Sequence, residues 1–389
     1  MIYREEGTFK RYVASAWKVT FPALLISLGI NFVSGTFLGK YFDKLMISYP
    51  VLLVVLPGLM GLRGNIFGSL ASRFTTSLYI GEIRASLRER KVGENIYLSM
   101  ILSVLPIFLL WIVGTLKTGH VDMAFFALLI LLASTVFVSL MLGYSTAIIT
   151  IVPFRRGLDP DSIASPLITS MADLLTIPIL IFFILMYEYH GFSFYTLFLL
   201  SLTVILVMSK FYKIETRTFF EISGIMVILS AISSVSGSVL QSYSQIIHQS
   251  AIVSVIYPAL LGSLGNYGGV VAAKTSTRLH LGYFEGLIDT TVMKEIFALV
   301  TTGIIISGTI YGGGYIISEK LLSREVVFYP LFIPMYILIM MFVMVLSALL
   351  VHIFHRFGLD PDNVTIPAVT TIADLIGTIF AVFIAGMMV

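Results

Sequence analysis

The chain has 389 residues, of which 58% are hydrophobic and 12% are charged, and its formal net charge is +3. Soluble domains average roughly 45–50% apolar and about 25% charged residues, so this composition excludes an ordinary soluble enzyme, a disordered chain and a nucleic-acid module. The sequence contains no Cys, which excludes disulfides and thiolate metal sites. The small net charge gives no reason to expect nucleic acid as a partner. What remains is an all-α polytopic protein whose surroundings are the lipid bilayer.

Eleven apolar stretches follow one another along the chain, separated by short polar segments. A membrane span needs roughly 20 residues, and several stretches are longer, so tilt or breaks are expected. The first ten residues, MIYREEGTFK, precede no short apolar run with a cleavage site, so no signal peptide is expected. The predicted spans are 12–39, 46–79, 95–117, 121–153, 162–188, 193–209, 218–243, 246–279, 295–318, 328–354 and 362–387.

The distribution of the 24 Lys and Arg residues predicts the orientation of the spans. With the N-terminus in the cytoplasm, about 17 of them fall in inside segments and about 5 in outside segments, as expected from the enrichment of basic residues on the cytoplasmic side. Lys18 and Arg63 fall within spans. We therefore expect a multi-pass protein of the cell membrane with a cytoplasmic N-terminus and its C-terminus outside.

The sequence contains an internal duplication with an offset of about 201 residues. Residues 57–81 read PGLMGLRGNIFGSLASRFTTSLYIG and residues 258–282 read PALLGSLGNYGGVVAAKTSTRLHLG, with about ten of 25 positions identical. Residues 157–175, GLDPDSIASPLITSMADLL, match residues 358–376, GLDPDNVTIPAVTTIADLI, at the same offset. A weaker echo, one residue out of step, joins Val33-Ser34-Gly35 to Val235-Ser236-Gly237. The chain is therefore predicted to contain two copies of a five-span unit.

The predicted domains are a first repeat at 1–190, a linking span at 191–212 and a second repeat at 213–389. Five spans are an odd number, so the linking span is needed to give both copies the same orientation. Parallel repeats are related by an axis along the membrane normal, and a site on that axis receives one contribution from each copy. One chain thus forms a pseudo-dimer, and a monomer suffices for the site.

The first repeated motif places glycine and asparagine after a proline in the middle of a span. Proline removes a helical donor and frees a carbonyl, while glycine permits tight packing or unwinding. Irregular backbone at membrane depth survives only when it is buried in protein or borders a wet cavity. The alternatives are an oxygen-rich wall and a packing seam of small residues. The candidate residues are Gly61, Gly64 and Asn65 after Pro57, and Gly262, Gly265 and Asn266 after Pro258.

The second repeated motif carries an aspartate deep in its span. Asp173 lies about twelve residues into the span, roughly 17 Å at ~1.5 Å per residue, near the midplane of a ~30 Å core. Asp374 occupies the same position in the second copy, and Thr169 and Thr370 lie one turn earlier on the same face. An ionisable group at this depth indicates a functional site by default, and the alternative is a structural carboxylate.

The chemistry of these residues predicts transport of a hard divalent cation. Carboxylate and carbonyl oxygens without a His cluster suit Mg²⁺ or Ca²⁺ rather than Zn²⁺ or Cu. Mg²⁺ dehydrates reluctantly, so a wide site that contacts a hydrated ion through water is plausible. No nucleophile elbow, P-loop or HExxH motif is present, so the chain is not expected to be an enzyme.

Five other acidic residues lie near span ends. Asp159, Asp161, Asp360 and Asp362 belong to the GLDPD loops, where helix capping is favoured over a cation-attracting mouth. Glu188, between two tyrosines, is expected to be solvated at the outer surface.

These motifs resemble the membrane domain of MgtE-type magnesium transporters, and most closely the solute carrier family 41 branch, whose chains carry two such domains. The similar segments are GLRGNIFGSLASRFTT, LGNYGGVVAAKTSTRLH and DPDSIASPLITSMADL, and the resemblance covers residues from about 15 to 389. It implies Mg²⁺ transport through a pore between two five-helix units. A largely hydrated Mg²⁺ would be surrounded by Asp173 and Asp374 and by the glycine and asparagine residues of the two second spans.

Two departures from the family pattern matter. The cytosolic sensor domains of bacterial members have no counterpart here, so their feedback gating is not expected. Arg63 places a cation inside the first motif, whereas the second copy has Leu264. A fixed cation could compete with the ion, so Arg63 is a candidate for gating or coupling, and a cation-coupled Mg²⁺ exchanger, for example with Na⁺, is the alternative to a channel. A non-transporting membrane scaffold and an anion or proton carrier that uses Arg63 are the remaining alternatives.

Overall fold

The computed structural model describes residues 9–79, 81–156, 160–214, 216–250, 252–280, 289–324, 326, 329–359 and 361–388. Within these ranges the regular structure is helical and no strand occurs, which confirms the predicted all-α class. The side chains of the four GLDPD aspartates lie outside the described residues.

Thirteen α-helices are formed by the described residues. The first half of the chain contributes α1 (Phe9–Ser15), α2 (Phe21–Ile47), α3 (Pro50–Tyr79), α4 (Arg90–Thr118), α5 (Val121–Arg155), α6 (Asp161–Tyr189) and α7 (Gly191–Phe211). The second half contributes α8 (Thr216–Ser242), α9 (Ser244–Gln249), α10 (Ile252–His280), α11 (Thr290–Ile316), α12 (Phe332–Arg356) and α13 (Pro361–Met388). Two π-helical turns, Ala16–Thr20 and Ile317–Leu321, join α1 to α2 and extend α11.

Eleven helical segments of the described residues are long and apolar enough to cross a membrane, as the sequence predicted. The largest shift is at the end of the first span, which was predicted at 39 and lies at Ile47. The span predicted at 246–279 begins later, at Ile252, because α9 forms a separate short helix before α10. Lys18, predicted to lie within a span, is exposed in the π-helical turn near the start of the first one.

The chain divides into two compact units, named here for their place in the sequence. The central unit comprises Thr36–Gln245, and the terminal unit comprises Met1–Gly35 with Ile246–Val389. The boundary at Gly35 falls inside α2. The unit boundaries differ from those of the predicted repeats, which are defined by sequence similarity, and the division into repeats stays a prediction.

Each unit is organised around one deeply buried helix. In the central unit, α3 packs against α4, α5, α6 and α8, and in the terminal unit α10 packs against α11, α12 and α13. Most residues in the membrane-spanning parts of α3 and α10 are buried, whereas few residues of α7 are buried. In a membrane, small and polar residues favour contact between helices, whereas strongly apolar faces meet lipid. Among the candidate spans, α10 is the least apolar and α3 is one of the least apolar, which explains why these two helices form the cores.

The first span of each predicted repeat packs against the second span of the other repeat. A Cβ atom added at Gly35 in α2 would collide with the carbonyl oxygen of Val255 in α10. A Cβ added at Gly237 in α8 would likewise collide with the carbonyl oxygen of Val54 in α3. These are the glycines of the weak Val-Ser-Gly echo, and both crossings need a residue without a side chain.

Ionic contacts hold the ends of several helices. In the central unit, Lys44 forms an ion pair with Glu188, and the Tyr49 hydroxyl donates to the same carboxylate at 3.3 Å. Burial, and then the nearby Glu188 charge, raise the pKa of Tyr49 above its ordinary value. The expectation that Glu188 is only solvated was therefore wrong, because α2 brings Lys44 against the end of α6.

Candidate functional site

In the central unit, the glycine motif of α3 faces the aspartate helix α6. A Cβ atom placed on Gly64 would lie 3.5 Å from Cγ2 of Thr169, an ordinary contact distance. One turn after Thr169, Asp173 is 6% exposed, and Asn65 is 4% exposed. The second-span motif and the fifth-span carboxylate are therefore brought together in this unit, where Gly61 is also buried.

The terminal unit repeats this arrangement with the residues displaced by 201 positions. A Cβ on Gly265 of α10 would lie 3.6 Å from Cγ2 of Thr370 on α13. Asp374 is 9% exposed, one turn after Thr370, and Gly262 is partly buried. The Thr370 hydroxyl donates to the carbonyl oxygens of Ile366 and Pro367 at 3.0 Å each, which orients its methyl group toward the glycine.

The backbone through both motifs is regular helix. Helices α3 and α10 continue without interruption past Pro57 and Pro258. Of the two alternatives for the glycines, unwinding does not occur, and close packing does not require glycine at Gly64 or Gly265, because an added Cβ would make only ordinary contacts there. In regular helix most carbonyl oxygens accept helical hydrogen bonds. The groups available for a cation in each half-site are therefore the polar side chains and not the carbonyl oxygens of unwound glycines.

The two asparagines of the motif are both buried. In the terminal unit, Nδ2 of Asn266 donates to the Ser27 hydroxyl of α2 at 2.8 Å. Asn266 is thereby tied to the first span of the chain. Leu229 stands at the position in α8 that corresponds to Ser27, so the sequence does not repeat this hydroxyl in the other half.

Arg63 is the largest fully buried side chain of the described residues. Its Nη2 donates to the Thr135 hydroxyl of α5 at 3.1 Å, and the charge of Asp173 acts on its guanidinium. Nε and Nη1 have no hydrogen-bond partner among the described residues. Arg63 directly precedes Gly64, which faces Thr169, so this buried cation belongs to the same half-site as Asp173, and only part of its donor capacity is used.

The terminal unit replaces this cation with neutral hydroxyl contacts. Leu264 stands at the position of Arg63, and Tyr336 at that of Thr135. The Tyr336 hydroxyl donates to Ser263 at 2.8 Å, so a polar link between the second and fourth helices persists without a charge. Two similar links, Tyr267 to Thr302 at 3.0 Å and Tyr257 to Thr378 at 2.8 Å, connect α10 to α11 and α13.

Sequence reasoning missed these hydroxyl contacts and one ionic cluster. In the terminal unit, buried Glu295 pairs with both Lys274 and Arg278, and Arg278 also lies over the Tyr12 ring at 5.9 Å. The spacing of Lys274 and Arg278, one turn apart on α10, was a signal for a shared acidic partner.

Each half-site offers one carboxylate, and among the described residues no three His, Asp or Glu side chains gather around a common point. A single carboxylate with neighbouring hydroxyl and amide groups cannot strip a Mg²⁺ ion of its water, because this ion dehydrates reluctantly. Such a group can attract a cation and hold it through its hydration shell.

Comparison with known proteins gives a consistent result. The sequence model of the MgtE family, described as a divalent cation transporter, matches residues 56–183 and 257–384. Solute carrier family 41 member 3 of Mus musculus is 24% identical over 393 residues, which cover 93% of this chain and 80% of the relative. Solute carrier family 41 member 2 of Homo sapiens is 25% identical over 361 residues, which cover 84% of this chain and 62% of the relative. The Magnesium transporter MgtE of Thermus thermophilus is 23% identical over 172 residues, 42% of this chain and 35% of the relative. No solved structure matches the chain.

Proposed function

The chain belongs to the MgtE family of divalent cation transporters, and from this premise we propose that it moves Mg²⁺ across the membrane at a site to which Asp173 and Asp374 each contribute a carboxylate. Members of the family are transporters and not enzymes. Divalent cation transport is thus the established activity class, and the identity of the ion and of its site is the proposal.

One observation carries the site assignment. The same local arrangement, a glycine against a threonine one turn before a buried aspartate, occurs once in each unit at a displacement of 201 residues. A buried carboxylate in a membrane span is costly and persists where it has a task. The name of the Thermus thermophilus relative, Magnesium transporter MgtE, supports Mg²⁺ as the ion.

The experiment that tests this proposal is Mg²⁺ flux into proteoliposomes with aspartates changed to asparagine. Asp173→Asn and Asp374→Asn are each expected to lower flux at least tenfold, and the double variant to abolish it. Two unit charges ~4 Å apart interact by about 4 kcal/mol at an effective dielectric constant of 20, which is more than two tenfold steps. Asn keeps the shape and hydrogen-bonding capacity of Asp, so folding is expected to persist.

Asp122→Asn is the matched control, because Asp122 is exposed at the start of α5. Its flux should equal that of the unmodified protein. Near-normal flux in the double variant would refute the site assignment. Loss of monodisperse protein in either single variant would favour structural carboxylates, as expected for a scaffold. Competition by Ca²⁺, Mn²⁺ and Co²⁺ in the same vesicles measures selectivity.

Arg63 favours a coupled exchanger over a simple channel. A buried cation beside Asp173 neutralises part of the charge that would attract an ion. If Arg63 occupies the carboxylate when the ion is absent, ion binding must displace it, and the displacement can drive a conformational change. We therefore assign Arg63 the role of a gating or coupling residue.

The remaining proposals concern architecture. We propose two five-span repeats, 1–190 and 213–389, joined by the span at 191–212, with a cytoplasmic N-terminus and an external C-terminus. The two matches of the family model, displaced by 201 residues, support the repeats. Since one chain contains both carboxylates, a monomer is sufficient for transport.

A further inference from the structure

A surface cavity of about 220 Å³ lies in the central unit, where the loop between α3 and α4 meets the end of α5. None of its residues belongs to the half-site around Asp173. Its walls are a loop segment and one face of a helix, formed by Ser86, Leu87 and Arg88 on one side and by Ile148, Val152 and Arg155 on the other.

The polar end of this cavity carries two guanidinium groups in different situations. Nε of Arg155 donates to the carbonyl oxygen of Ala85 at 2.6 Å, and Nη2 donates to the same atom, which fixes this side chain against the loop. Arg88 is exposed, and its side chain has no hydrogen bond or ion pair with the described residues, whereas nearby Arg90 is paired with Glu94 at 3.1 Å. Arg155 is thus held in place by the loop, whereas the Arg88 side chain has no ion-pair partner among the described residues.

The apolar end of the cavity continues along the surface of α5. Tyr144, Ile148 and Val152 follow each other at intervals of four residues and are 44%, 46% and 38% exposed. Residues at this spacing lie on one face of a helix. In a membrane-spanning helix such an exposed apolar row faces lipid, so an acyl chain can lie along α5 with its headgroup at the arginines.

The sequence of the second half does not carry the same pair of arginines. Arg356 corresponds to Arg155, but Asp289 stands at the position of Arg88. The Asp289 carboxylate accepts a hydrogen bond from the Thr291 backbone N–H and caps α11. The general enrichment of basic residues on the cytoplasmic side would apply to both halves and does not explain why only one of them has arginine at both positions.

We propose that this cavity binds the phosphate headgroup of an anionic phospholipid whose acyl chains lie along α5. Planar guanidinium groups pair with phosphate oxygens in a bidentate manner, and basic pockets between membrane helices recognise anionic headgroups. The cavity is smaller than the roughly 300–1,000 Å³ that encloses a drug-sized ligand, which suits a headgroup with its chains outside. The loop that forms it joins α3, which carries Arg63, to α4, so a bound lipid restrains one end of the helix that faces Asp173.

The test is a titration of the full-length protein in detergent with phosphatidylglycerol, in which the melting temperature is measured at each lipid concentration. A saturable rise is expected with phosphatidylglycerol and not with phosphatidylcholine. One surface arginine contributes about 1 kcal/mol to anionic lipid binding, so Arg88→Gln should raise the half-maximal lipid concentration about fivefold. The Arg88 side chain is exposed and makes no hydrogen bond or ion pair with the described residues, so this variant should fold normally.

Arg356→Gln is the matched control, because it removes the equivalent of Arg155 from the half in which Asp289 stands in place of the second arginine, and it should titrate like the unmodified protein. An equal response to phosphatidylcholine, or an unchanged titration of Arg88→Gln, would overturn the proposal. An equal stabilisation by inorganic phosphate or glycerol phosphate would identify a soluble phosphate as the ligand and would also overturn it. The readout is binding, so failure of the proposed Mg²⁺ site would leave this result unaffected.

Discussion

At the scale of single residues, the two half-sites differ by one charge. Asp173 shares its surroundings with the buried guanidinium of Arg63, whereas Asp374 has Leu264 at the corresponding position. A buried charge with unused donors is costly unless a partner compensates it. The carboxylate of Asp173 supplies that compensation when no ion is bound, so we expect the two aspartates to be functionally unequal.

Arg63→Leu, which copies the second half, is therefore expected to raise the apparent affinity for Mg²⁺ about tenfold and to weaken coupling to any counter-transported ion. Removing the cation frees the charge of Asp173, and two charges in a protein of effective dielectric constant about 20 interact by several kcal/mol at short range. Concentration-dependent flux in proteoliposomes, with and without a Na⁺ gradient, measures both effects.

Arg63→Lys keeps the charge and serves as the control, with affinity and coupling expected close to those of the original protein. Removing one partner of a buried pair of charges is costly, so Arg63→Leu is expected to lower stability. Folding should nevertheless persist, because the second half already combines Leu264 at the corresponding position with a buried aspartate, Asp374. Unchanged affinity, selectivity and coupling in the leucine variant would make Arg63 a packing residue that only bonds Thr135.

At the scale of helices, the closest backbone approaches are the two glycine crossings. Gly35→Ala and Gly237→Ala are each expected to lower the free energy of unfolding by about 1–3 kcal/mol, because the new methyl group would collide with a backbone carbonyl that cannot rotate away. Thermal unfolding in detergent measures the effect.

Gly29→Ala in α2 and Gly224→Ala in α8 are matched controls, since a Cβ at either position meets nothing within 4 Å. These changes should be neutral or slightly stabilising, because alanine favours helix over glycine. Equal melting temperatures for all four variants would contradict the prediction that a methyl group cannot be accommodated at Gly35 and Gly237.

These crossings also explain how far the sequence could predict the helices. Hydropathy predicted the eleven apolar segments, because a lipid environment demands long apolar helices and leaves few alternatives. The pairing of Gly64 with Thr169 could be expected as well, since two repeated motifs at one offset suggest a shared site. The packing of each first span against the second span of the other repeat could not be predicted. Val33-Ser34-Gly35 is repeated only weakly, and the group that Gly35 approaches is a backbone carbonyl, which leaves no signal in the sequence.

The polar contacts inside the helix bundles were the least predictable part of the candidate site. Tyr336 and Thr135 occupy equivalent positions in the two halves, but their hydrogen-bond partners are not equivalent. Thr135 bonds to Arg63, whereas Tyr336 bonds to Ser263, which precedes the counterpart of Arg63, Leu264. Such a choice depends on side-chain length and on the distance between helices, which periodicity does not encode. The depth of Asp173 and Asp374 in the membrane stays a prediction, because it rests on the residue count within each span.

At the scale of the whole molecule, the proposed orientation makes a direct prediction about the two ends of the chain. About 17 basic residues lie in the segments assigned to the cytoplasm and about 5 in those assigned to the outside, a bias that sets topology during insertion. Eleven spans are an odd number, so the two termini must lie on opposite sides of the membrane. The chain has no Cys, so a single introduced cysteine gives an unambiguous label.

A cysteine appended after Val389 is expected to react with an impermeant maleimide added to intact cells, whereas one at Arg84, in the loop between α3 and α4, should react only after permeabilisation. Both positions lie away from the half-sites, so the labelled proteins should still transport the ion. Their flux would show that the measured topology belongs to the active transporter. The reverse pattern would invert the orientation and place the arginine-lined cavity in the outer leaflet. Reaction at both positions in intact cells would mean an even number of spans, and the linking helix Gly191–Phe211, the least buried of the candidate spans, would then be the first to reconsider.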